Sequence, residues 1–166
     1  MHSLSKTIFL PIFSLIALSF SQCTTSLAPQ FNELIFSELS SSSEEILVFF
    51  ASIEKGTESK DFDDREETYH ELIGKFEALE LETRARPIPG NGVLTRVNKA
   101  LEIRGSTSIS GDYPSAHAMG KIAETLQMMK NTDEQNDMGN IAVKTFKNQI
   151  LIYLDQALTY ENFLNR

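Results

Sequence analysis

The chain has 166 residues, 41% of them apolar, which is enough for one domain with its own core. It carries 15 Lys and Arg against 23 Asp and Glu, a net charge of −8, and so acidic a surface repels phosphates and excludes non-specific nucleic-acid binding. A single Cys excludes an intramolecular disulfide and any multi-Cys zinc or iron–sulfur site, and three His leave little for a His-rich metal centre.

Residues 1–22 have the layout of an export signal. Lys6 and the amino terminus form a short positive region, and Ile8 to Phe20 is an uncharged apolar stretch interrupted by Pro11. Thirteen residues are fewer than the roughly 20 that a bilayer-spanning helix needs, so the segment reads as a cleaved signal peptide. Cys23, directly after it, resembles the acylated cysteine of bacterial lipoproteins. Their signals end in Leu, a small residue, Gly or Ala, then Cys; here Phe20, Ser21, Gln22 and Cys23 stand in those places, with Gln22 departing from the pattern. The resemblance implies a palmitate-bearing lipid on Cys23 and, because Thr24 rather than Asp follows, an outer-membrane location facing the periplasm. Several acyl chains together hold a protein stably on a membrane. A competing small-x-small site at Ser19-Phe20-Ser21 allows cleavage after Ser21 and a soluble exported protein with a free thiol. Without Lys6, residues 23–166 keep 14 basic and 23 acidic side chains. Residues 23–28 read as a tether, and residues 29–166 as a single domain.

The periodicity of that domain is helical throughout. Pro29 fits the first position of a helix running from about 29 to 55, with Ile35, Leu39, Ser42, Ile46, Phe49 and Ile53 as its inner stripe. Phe31, Phe36, Leu47 and Phe50 widen the stripe, and Ser40 to Ser43 mark a place for a break. Gly56 is a stop, and Ser59 or Asp61 is a cap for a second helix ending near Arg84, whose stripe is Phe62, Tyr69, Leu72, Ile73, Phe76 and Leu79. After a turn-rich connector over 87–92, Val93, Leu94, Val97 and Leu101 define a short helix closed by Gly105. Pro114 opens the next helix, with Ala118, Ile122, Leu126 and Met129 inward. Residues 131–137 read as a polar connector. The last helix spans about 138–164, with Ala142, Phe146, Gln149, Tyr153, Ala157, Tyr160 and Leu164 as its stripe, and Ile150, Leu151, Ile152 and Leu154 add apolar bulk. No segment shows the alternation of a strand. The fold predicted is all-α: four long amphipathic helices in an antiparallel bundle plus one short helix.

Few residues suggest chemistry. Glu67 and His70 match Glu-x-x-His, the spacing that dimetal bundles use on two helices. His117 has Pro114 rather than Glu three residues before it, so there is no second copy and no metal is expected. Tyr113-Pro-Ser-Ala-His117 resembles the Pro-Ser-Gly-His segment of the vanadate-sensitive acid phosphatases, and Arg86-Pro87 resembles their Arg-Pro element. Those enzymes use a second, later His as nucleophile, with an Arg before it and an Asp after it. No His follows His117, and the only later Arg is Arg166, so phosphoryl transfer would lack its nucleophile and charge clamp. The segment then reads as a Pro-opened helix start. Met119, Met128 and Met129 beside His117 are too few for a copper site and fit a core.

Charge changes sign sharply along the chain. Residues 54–82 hold eleven acidic and four basic side chains, and residues 84–104 hold five basic and one acidic. This pattern suits a solvated acidic helix beside a basic loop, or a surface that recognises a partner. Arg84, Arg86 and Arg96 flank the connector, where arginines can hold an anion by paired hydrogen bonds or pair with acids such as Asp155 and Glu161. Arg84, Arg86, His70 and His117 are thus the candidate binding residues. Tyr153 and Tyr160 share a face and suit the bundle edge. No nucleophile set, phosphate loop or Cys-x-x-Cys-His motif is present, so no cofactor and no catalytic residue are expected. The expected role is binding: to an envelope protein or to itself, with the membrane reached through Cys23 and no nucleic acid. The alternative is a bundle that holds a small ligand or metal between its helices.

Overall fold

The computed structural model describes residues 29–87, 91–109 and 114–165. The expected signal segment, Cys23 and the tether lie outside the described residues, as do residues 88–90 of the connector and Tyr113.

Among the described residues are five helices: α1 (Glu33–Ser52), α2 (Asp63–Arg84), α3 (Asn91–Ile103), α4 (Pro114–Gln135) and α5 (Asn140–Leu164). Two-residue strands, β1 (Gly56–Thr57) and β2 (Met138–Gly139), pair antiparallel with Gly56 opposite Gly139 and Thr57 opposite Met138. Cross-helix contacts set the directions. Phe49 meets Tyr69 edge-on at 4.9 Å, and Glu45 pairs with Lys75, so α1 and α2 are antiparallel. Arg65 meets Asp133, and Thr83 reaches the Met119 sulfur at 3.4 Å, so α2 and α4 are antiparallel. The start of α4 meets the end of α5 through Ser115 and Glu161. The helices α1, α2, α4 and α5 thus close an antiparallel ring around one large core. α3 lies outside the ring on α5, where Val97 and Leu101 share a second cluster with Tyr160 and Leu164.

The expected stripes of the first two helices are buried at every position, from Ile35 to Ile53 and from Phe62 to Leu79. Local chemistry explains where the boundaries differ. α1 starts after Pro29 because the Asn32 side chain accepts from the Leu34 and Ile35 amides at 3.0 and 3.3 Å. The serine run does not break the helix: Ser40 and Ser43 donate back to the carbonyls of Phe36 and Leu39, and Ser43 turns inward. Neither Ser59 nor Asp61 caps α2. Residues Ser59–Asp61 form a 3-10 turn leading to Phe62, whose ring is buried beneath Lys130 at 5.8 Å. Gly105 does close α3. With φ of 71° its amide reaches Glu102 O and the Ser106 amide reaches Leu101 O, a Schellman end that needs the left-handed conformation.

Three expectations are corrected. Residues 131–135 belong to α4, not to a connector, because Asp133 is drawn into a buried ion pair. The β1–β2 ribbon is too short to produce alternation in a sequence. On α5 the expected Ala157, Tyr160 and Leu164 are buried, but the first half of the inner line runs through Val143, Ile150 and Leu154, with Ala142, Phe146 and Tyr153 half-buried and Gln149 exposed. The helix packs against α4 on one side and α3 on another, and the expected stripe followed the edge of this wide inner face. Leu47, Leu151 and Ile152 reach solvent rather than adding to the core.

Candidate functional site: two buried ionic centres

The ribbon end of the bundle is built around Asp133, which is fully buried. Arg65 clamps both of its oxygens, with Nε at 2.7 Å and Nη2 at 2.9 Å. The Tyr69 hydroxyl donates to Oδ2 at 3.1 Å, and the Thr57 hydroxyl donates to Oδ1. Arg65 Nη2 also reaches the Glu58 carbonyl at 2.9 Å. One carboxylate therefore joins β1, α2 and α4 with paired, charge-assisted hydrogen bonds. Its hydrogen bond to Arg65 pushes that guanidinium further up. Burial, with the negative Asp133 beside it, raises the Tyr69 phenol well above its ordinary value. A shallow recess outside this centre is lined by Lys55, Thr57, Glu58, Arg65 and Asp137 among others. Asp137 there accepts from the Ser59 amide at 2.8 Å, which lowers its carboxyl. Every polar side chain gathered on Asp133 is engaged, so the centre acts as a lock and holds no free acid or base.

The opposite end is built around Glu161, also fully buried. Arg86, just beyond α2, donates to both of its oxygens, through Nη1 at 2.9 Å and through Nη2. Ser115, in the first turn of α4, donates to Oε1 and accepts from Arg86 Nη2 at 3.2 Å. This cluster is not complete. Arg86 Nε and the Tyr160 hydroxyl are buried, and neither has a hydrogen-bond partner among the described residues. Burial, with Glu161 adding and Arg86 opposing, pushes the Tyr160 phenol up to about 12.

The candidate residues from the sequence are not brought together. Arg86 is half-buried in the Glu161 cluster, whereas Arg84 pairs with Glu80 one turn earlier on the same helix. His70 is exposed, 3.9 Å from Glu66, and His117 is exposed on α4. The two segments that resemble acid-phosphatase elements do meet, at Arg86 and Ser115. The Glu161 carboxylate occupies the guanidinium there, and among the described residues no second His stands beside it. Among the described residues no group of three or more His, Cys, Asp or Glu side chains is placed to hold a metal. No described helix is long and apolar enough to cross a membrane. Sequence reasoning missed Asp133, Arg65, Tyr69 and Thr57 as a unit. The one available signal was Arg65 and Tyr69 four apart on one helix face, but Asp133 sits in the stretch 131–137 whose polarity suggests a loop.

Comparison with known protein families, with curated proteins and with solved structures finds no match to this chain.

Proposed function

We propose that the protein is exported, held at the bacterial outer membrane through a lipid on Cys23, and acts by binding another protein rather than by catalysis. The observation that supports this reading is the division of its charges. The buried ones are matched inside the bundle, Arg65 to Asp133 and Arg86 to Glu161. The outer faces of α1 to α3 instead carry charges such as Glu44, Glu71, Arg96 and Lys99, which form no ion pair among the described residues, beside exposed apolar side chains such as Val48, Leu81 and Ile103, a combination that suits a binding surface. The test is the intact mass of the protein extracted from the membrane fraction of its native host, followed by crosslinking there. A mass of residues 23–166 plus a diacylglyceryl and an acyl group supports the anchor. A mass of residues 22–166 without lipid assigns a soluble exported protein instead.

A second reading is favoured by the Glu161 centre alone. The unused hydrogen-bonding capacity of Arg86 Nε and the Tyr160 hydroxyl suits a small polar ligand between the helices. Native mass spectrometry of the purified protein tests it: a co-purifying small molecule lost in Tyr160→Phe supports it, and a bare chain mass overturns it.

A further inference from the structure

A furrow of about 670 Å³ runs along the outside of the α1–α2 pair, and a smaller recess of about 230 Å³ continues it beyond Lys75. Its walls include Val48 and Leu34, 69% and 63% exposed, over the more deeply set Phe49, Leu72 and Leu79. Its rim is acidic: Glu38, Glu44 and Glu45 come from α1, and Glu71 and Glu82 from α2. Lys75 is the one cation among the residues lining it, and it pairs with Glu45 across the furrow. α1 itself contains no Lys or Arg. From Leu34 to Ser52 the furrow is about 27 Å long at the rise of an α-helix.

The complementary surface is on the same chain. α3 turns Val97 and Leu101 inward and exposes Arg96, Lys99 and Ile103 at helical spacing. Ile103 is 77% exposed. Neither Arg96 nor Lys99 forms an ion pair among the described residues, while the nearby Arg104 is held by Asp155 at 3.2 Å. With 13 residues, α3 is about 20 Å long and fits within the furrow. Cations flanking an exposed apolar side chain match apolar walls rimmed by glutamates.

We propose that the α1–α2 furrow is the docking site for α3 of a second copy of this chain. The furrow lies between α1 and α2 and α3 rests on α5, so one molecule presents the two surfaces on different faces. The contact is head to tail and propagates beyond a dimer. It is salt-sensitive, because the pairing charges are exposed and salt screens their attraction. The inference rests on the binding reading above and specifies its partner.

The experiment is sedimentation velocity of the mature protein, extracted from its host, over a range of concentration and salt. Two double variants are compared with it, Glu44→Lys with Glu71→Lys in the furrow and Arg96→Glu with Lys99→Glu on α3. All four positions are on exposed helix faces, and circular dichroism verifies folding. The expected result is association that weakens with salt and falls at least tenfold in either variant, with recovery when the two variants are mixed and reversed charges face each other. A monomer at every concentration, or association unchanged in either variant, overturns the proposal. If the protein is monomeric yet crosslinks to a different envelope protein, self-docking fails and the binding reading stands. If nothing is crosslinked either, both fail.

Discussion

The two ends of the bundle solve one problem with different completeness. Each buries an arginine against a carboxylate contributed by a distant helix. At the ribbon end the carboxylate has four donors, and two of them are hydroxyls from separate elements. At the other end the same kind of pair leaves a guanidinium N–H and a phenol without partners among the described residues. A buried ion pair recovers its desolvation cost only when its remaining hydrogen-bonding capacity is also met. The Asp133 end is thus a finished lock. The Glu161 end carries an unmet cost, and there a bound water or ligand would add stability.

The largest expected effect comes from breaking the locks. Asp133→Ala takes the carboxylate from the half-buried Arg65 and from the buried Tyr69 and Thr57 hydroxyls together and should cost about 3–5 kcal/mol by chemical denaturation. Replacing both partners sharpens the contrast. Arg65→Met with Asp133→Leu still leaves the Thr57 and Tyr69 hydroxyls unpaired. Arg86→Met with Glu161→Leu removes the unpartnered Nε and newly strands one hydroxyl, that of Ser115, rather than two, so it should be the less costly. An equal loss at both ends would erase the distinction.

Next in size is the ribbon that closes the Asp133 end. Gly56 has φ of 114°, and a Cβ there would lie 2.5 Å from the Met138 carbonyl oxygen. Gly56→Ala should destabilise the fold by at least about 2 kcal/mol, through strain plus that clash. A melting temperature equal to wild type would show that the ribbon is not coupled to the core.

The paired tyrosines give a smaller and opposite test. Tyr69→Phe removes a hydrogen bond to a charged acceptor and should cost about 1.5–3 kcal/mol. Tyr160→Phe removes a hydroxyl that has no partner and should be neutral, or stabilising by up to about 1 kcal/mol, near neutral pH. Their pH dependence has a definite sign. Tyr160 titrates near 12 when folded, above its ordinary value of 10.0, so the unfolded chain ionises first. The Tyr160 contribution is constant well below pH 10 and is lost as pH rises through the folded value, by about 2 kcal/mol at pH 12. Tyr160→Phe should remove that share of the alkaline loss, as read by denaturation across pH with tyrosinate absorbance. An unchanged profile would remove Tyr160 from the comparison. Smallest of all, His70→Ala with His117→Ala should shift stability by less than about 0.5 kcal/mol, since both side chains are exposed. Loss of partner binding without unfolding would instead assign them to an interface.

What was legible in the sequence is what depends on neighbours along one helix. The stripes of α1 and α2, the Pro114 start and the Gly105 end all follow from short-range spacing or from one residue's backbone preference. The pairing of Arg86 with Glu161 was among the options that charge balance raised, whereas Asp155 is met by Arg104, which was not among the arginines singled out. The ionic centres as units were not legible. Arg65 and Asp133 are 68 residues apart, and Arg86 and Glu161 are 75 apart, so no local pattern records them. Asp133 lies among polar neighbours that say loop, and Arg65 lies within a run of acids that says surface.

By itself the sequence determined an all-α chain, the inward face of α1, α2 and α4, and a change of charge sign between residues 54–82 and 84–104, because periodicity and composition are properties of the chain alone. Only the tertiary structure decided which charges go inside and which stay out. The ring of α1, α2, α4 and α5 brings Asp133 to Arg65 and Glu161 to Arg86, and it leaves Arg96, Lys99 and the glutamates of the α1–α2 furrow facing solvent. A charge can be buried only where its partner is fixed in place, and that place exists only once the helices have packed.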